Sequence, residues 1–166
     1  MQHSETLLTL AELGIAFAGF TGLVAVFGGA RLEADARVHH VRFRGMIETA
    51  LILVIFSIAP IVLSAFDLGD QTVWRVASGL LSGVWCSQIA IALRRTAALQ
   101  APFNRALSVV LLVVYLGTNA MLLSNLAGLF GHIAGAAYLL GLSSLLAVAA
   151  LLFLRVLIAF VPEGGE

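Results

Sequence analysis

The sequence predicts an all-α, polytopic transmembrane helical bundle of five spans, built as one integral membrane domain over residues 1–166. Three observations carry that prediction. Of the 166 residues, 61% are hydrophobic and 11% charged, and the mean hydropathy is +1.06, which no soluble domain of this size matches. Apolar stretches of about 20 residues, the length needed to cross the hydrocarbon, recur along the chain. Eight of the nine arginines fall on one side of the spans so placed, as expected where basic residues stay on the cytoplasmic side.

The first span is read as Leu7 to Phe27, the second as Met46 to Phe66, the third as Val73 to Leu93 and the fourth as Ala106 to Leu129. A fifth, Ile133 to Phe160, follows a hairpin at "FGH", with Gly128, Gly131 and Gly135 around it as helix breakers. The loop "ARLEADARVHHVRFRG" holds Arg31, Arg37, Arg42 and Arg44, and "RRTAALQAPFNRA" holds Arg94, Arg95 and Arg105, so both are placed inside. "DLGDQT" carries Asp67 and Asp70, with Arg75 just beyond, and is placed outside. The N-terminus is then outside and the C-terminus cytoplasmic, with Arg155 at the inner end of the last span. The start "MQHSETLLTL" has no basic n-region, so the first span is expected to be retained rather than cleaved.

All nine basic residues are arginine. The absence of lysine excludes a P-loop and any Schiff-base chemistry. Cys86 is the single cysteine, so no intramolecular disulfide and no cysteine-rich metal site can form. His3, His39, His40 and His132 make no metal or haem signature. No metal, no cofactor and no nucleic-acid partner is expected, and no catalytic motif is present.

Ala11, Ala18, Gly22, Ala25 and Gly29 fall along one line of the first helix, with Gly14 beside it. Such a stripe lets helix backbones approach closely, within one protomer or between copies. Phe17, Phe20 and Phe27 point away from it, towards lipid. The third span has a similar ladder, Ser78, Ser82, Cys86 and Ala90, and the fourth places Gly117, Ser124 and Gly128 on one face.

An ionised side chain at the bilayer centre costs about 2.5–3.5 kcal/mol on insertion scales, so each needs a partner, water or a shallow position. Glu12, five residues beyond Leu7, is read as shallow, and Arg75, the outer arginine, is its candidate partner. Asn119 and Asn125 are candidate intramembrane polar residues, with an outer cluster of Glu12, Asn125 and His132 as one arrangement. Arg44 and Glu48 are one turn apart at the cytoplasmic start of the second span, as an i,i+4 pair or as an anion or lipid-headgroup site. Pro60 is expected to kink the second helix and to free a backbone carbonyl.

The stretch "TLAELGIAFAGFTGLVAVFGGARLE", followed by "RFRGMIETALILVIFSIAPIVL", resembles a family of uncharacterised small multi-span bacterial membrane proteins. These share an AE-x-x-x-AFAGF-like first helix, an arginine-rich loop and an E-T-containing second helix. The resemblance covers the first half of the chain, implies a bacterial inner-membrane location and brings no activity. It places Glu12, Gly19, Phe20, Gly22 and Glu48 in the recurring pattern. "RFRGMIETA" is also superficially similar to the second helix of trimeric glutathione-using membrane enzymes, but the asparagine of their spacing is missing, so their activity is not carried over.

Three functions fit these residues. The first is a homo-oligomeric channel- or transporter-like protein for a small ion or solute, with Glu12, Asn119 and Asn125 on its path. The second is an accessory subunit that docks an unidentified membrane partner through small-residue faces, with acidic lipid headgroups at the arginine loops. The third is a membrane enzyme with a site beside Arg44 and Glu48.

Overall fold

A computed structural model describes residues 3–28, 36–99 and 105–160, with side chains for 3–24, 26, 43–91, 93–94 and 109–154. Five helices make up the described chain: α1 (Ser4–Gly28), α2 (Ala36–Ser64), α3 (Asp70–Leu99), α4 (Arg105–Leu126) and α5 (Ala134–Phe160). A short 3-10 turn, Gly131–Ile133, leads into α5. Among the described residues, Ser4–Val24, Phe43–Ser64, Val109–Leu126 and Gly131–Leu154 are long and apolar enough to cross a membrane. By these four segments the chain is a multi-pass membrane protein.

The expected third span, Val73 to Leu93, lies within a helix but is not among those four. Ser78 and Ser82 of this helix are buried against neighbouring helices rather than facing outward. The helix boundaries also differ from the expected ones. α2 begins at Ala36, inside the expected arginine loop, and α3 runs six residues past Leu93. Length and hydropathy mark where a helix is oily, whereas helix continues until a breaker stops it. At the α4–α5 hairpin the breakers are Gly128 and Gly131, with φ of 82° and 46°, a left-handed conformation that glycine adopts without steric cost. Asp70 opens α3, where a carboxylate favours the positive end of the helix dipole.

α5 touches all four other helices and is the hub of the bundle. α1 packs on α2 and α5, while α3 lies between α2 and α4 and also reaches α5. One core joins these surfaces through Leu7, Leu53, Phe56, Trp74, Leu81, Trp85, Leu122, Tyr138 and Leu142. Its aromatic centre links Trp74 to Tyr138 at 5.7 Å between ring centroids, and His3, just before α1, meets Trp74 edge-on at 5.9 Å. Large apolar side chains cover the outside on every helix, including Ile15, Ile55, Leu80, Val113 and Leu140, as a lipid-facing surface requires.

Pro60 shapes α2 by what it removes. Proline has no N–H, so the carbonyl of Phe56, four residues earlier, loses its ordinary helical donor. The hydroxyl of Tyr138 on α5 donates to that oxygen at 2.6 Å, in the buried core. A proline on one helix is thereby matched by a tyrosine on another, and the bond ties α2 to the hub.

Candidate functional site

The α1 stripe is split by the fold. Ala11 is buried, and Gly14 packs closely on α2: a Cβ placed there would stand 2.8 Å from Val54 Cγ2 and 3.1 Å from the carbonyl oxygen of Ala50. Ala18 is half-buried. Gly22 has open space where a side chain would project, and the side chain of Ala25 and the whole of Gly29 lie outside the described residues. Phe17 departs from its expected lipid-facing position: it is half-buried and meets Phe153 of α5 edge-on at 5.9 Å. The buried face of α1 therefore follows Leu7, Leu10, Ala11, Gly14, Ala18 and Thr21, the spacing of a helix packed along one side.

On the opposite side lie Glu5, Thr9, Glu12, Ala16 and Gly19, all exposed and spaced alternately by four and three. Glu12 is eight residues beyond Ser4, where α1 begins.

Glu12 and Arg75 do not pair. The His3–Trp74 contact sets the start of α1 level with the start of α3, and Glu12 is nine residues further, about 13 Å deeper along the helix axis. Arg75 instead lies over Gly128, where a Cβ would stand 2.5 Å from its Nη2. Just past the end of α4, the guanidinium meets the negative pole of that helix. Among the described residues, Glu12 has neither an ion pair nor a hydrogen bond.

Asn119 and Asn125 belong to a different place, the seam between α3 and α4. Ser82 donates to Asn119 Oδ1, and Asn119 Nδ2 donates to Cys86 Sγ at 2.9 Å. Asn125 is fully buried, and its Nδ2 donates to Ser78 Oγ at 2.8 Å and to the Ala134 carbonyl at 2.9 Å. Trp85 Nε1 adds a bond to the Tyr115 carbonyl at 3.1 Å. The ladder Ser78, Ser82, Cys86 expected as a small-residue face is thus a row of hydrogen-bonding groups matched to two asparagines. His132 is exposed on the hairpin, so the outer cluster of Glu12, Asn125 and His132 does not form. Interhelical bonds of this kind contribute about 0.6 kcal/mol each on average. Asn119→Leu removes two and is expected to lower stability by about 1 kcal/mol, read as a drop in thermal midpoint in detergent; an unchanged midpoint would show that the seam is held by packing alone.

Arg44 Nε lies 2.7 Å from Glu48 Oε1, one turn along α2, with the arginine side chain 64% exposed. Glu48 has a further interaction beyond this pair. Arg44 precedes Glu48, the less favourable order for a helical pair. Tyr138 and Ser57 were not singled out by sequence reasoning. The signal for Tyr138 was Pro60, which announces a free carbonyl without saying which side chain takes it; Ser57 had no signal.

Among the described residues, no group of three or more His, Cys, Asp or Glu side chains is placed to hold a metal. No family model, curated protein or solved structure matches this chain.

Proposed function

We propose that the chain is the repeating subunit of a homo-oligomeric membrane assembly that carries a small cation along the outer face of α1. The observation that carries this reading is Glu12: an exposed carboxylate within a candidate span, without a partner among the described residues. Glu5 and Thr9 extend the same polar line, while Ala16 and Gly19 leave room for a neighbouring helix. In this reading α3 also crosses the bilayer, giving five spans with the N-terminus outside and the C-terminus cytoplasmic in the plasma membrane. Asp67 and Asp70 stand at one end of the bundle and Arg44 and Arg94 at the other.

The arginines argue for a cation over an internal counter-charge. Arg75 starts about 13 Å from the level of Glu12 towards one end. Towards the other, Gly14 meets Val54, and Arg44 lies ten residues before it, about 15 Å away along α2. Copies assembled side by side and parallel therefore bring no described arginine to Glu12. A ring of such carboxylates is the kind of lining that selects cations.

Proteoliposomes loaded with sodium or potassium, or with a pH-sensitive dye, test the reading. Glu12→Gln is expected to abolish cation flux while leaving the thermal midpoint near that of the wild type. Equal flux in wild type and variant would remove Glu12 from the path.

The pairing of Asn119 and Asn125 across the α3–α4 seam favours a second reading, in which nothing is conducted and the outer face of α1 docks a helix of another membrane protein. That helix would bring a basic or hydrogen-bonding group to Glu12, and acidic lipid headgroups would engage the arginine end. A foreign subunit copurifying at fixed stoichiometry, with no flux, supports it. The enzyme reading beside Arg44 and Glu48 has only their ion pair as support and ranks last.

A further inference from the structure

Two polar atoms in the interior of the described bundle lack a hydrogen-bond partner, Ser57 Oγ and Asn125 Oδ1. Both residues are 0% exposed. They lie at similar depth along the bundle. Asn125 bonds to Ser78, which is eight residues, about 12 Å, into α3; Ser57 is seven residues, about 10 Å, before the end of α2. α2 and α3 pack together and are joined by the short connection 65–69, so these depths are measured from the same end of the bundle.

The chemistry of the layer restricts what completes it. Asn125 has already directed its Nδ2 to Ser78 Oγ and the Ala134 carbonyl, so its free capacity is acceptance at Oδ1. Ser57 can donate or accept. An anion would face the amide oxygen, and a metal ion would need about six oxygens where two stand free. Water can donate to Asn125 Oδ1 and exchange a bond in either sense with Ser57 Oγ, and buried polar groups left without protein partners are commonly satisfied in this way. We propose that the layer of Ser57, Ser78 and Asn125 is an internal hydration site, sealed within the bundle and separate from the outer face of α1.

X-ray radiolytic footprinting of the full chain in nanodiscs tests it, because bound water generates hydroxyl radicals in place and labels the side chains around it. Tyr138, which is fully buried one turn beyond Ala134, is expected to be labelled. Trp85, equally buried but seven residues deeper than Ser78 and intrinsically more reactive, is expected to stay unlabelled. Ser57→Ala, a change small enough to keep the fold, is expected to weaken the Tyr138 label and lower the thermal midpoint. Tyr138 labelled no faster than Trp85, or a Ser57→Ala chain more stable than wild type as a dry orphan hydroxyl requires, overturns the proposal.

Discussion

Gly14→Leu is expected to drive α1 away from α2 and to lower the thermal midpoint of the bundle more than any other single change on α1. A Cβ at this position already stands 2.8 Å from Val54 and 3.1 Å from the Ala50 carbonyl, and the second of these is backbone that cannot rotate aside. Overpacking of a well-fitted contact costs about 1–3 kcal/mol, and a rigid neighbour puts this site at the upper end. Gly22→Leu is the control: its side chain projects into open space, and the midpoint is expected to move little. Thermal unfolding in detergent, followed by the fluorescence of buried Trp85, compares the two. Equal midpoints would mean that α1 and α2 are not in close contact at Gly14.

Tyr138→Phe is expected to cost about 1–3 kcal/mol, because it leaves the Phe56 carbonyl buried without a donor. The size of that loss depends on Pro60. In a Pro60→Ala background residue 60 regains an N–H, the helix can satisfy Phe56 itself, and removal of the tyrosine hydroxyl should cost far less. A double-mutant cycle over Tyr138 and Pro60 is therefore expected to give a coupling of about 1 kcal/mol. Additive effects of the two substitutions would separate the tyrosine from the proline and leave their contact without energetic meaning.

Hydrophobic length and glycine placement made five helices and the position of the α4–α5 hairpin readable from the sequence. The ends were not readable in the same way. Ala36 to Gly45 is helical although polar, because a helix needs no oily residues to continue, only the absence of a breaker. The same limit applies to the polar residues. The i,i+4 row Ser78, Ser82, Cys86 and the two asparagines were each visible, but which helix faces which is a property of the assembled bundle. Ser4, Glu5 and Thr6 look like a polar lead-in, yet they form the first turn of α1. The exposure of Glu12 without a described partner gives the outer face of α1 its interest. Arg75 is the candidate partner of Glu12 as the one outer arginine, whereas the end of α4 and the glycine beyond it supply its actual surroundings.

The claim that the Glu12 face of α1 meets another copy is tested most directly by disulfide cross-linking in membranes. In a Cys86→Ser background, Ala16→Cys lies on that face one turn beyond Glu12, and Leu140→Cys lies on the exposed surface of α5. A disulfide needs Cα atoms within about 7 Å. Ala16→Cys is expected to yield covalent dimers on mild oxidation and Leu140→Cys to remain monomeric. Monomeric Ala16→Cys beside cross-linked Leu140→Cys would contradict the assembly around α1.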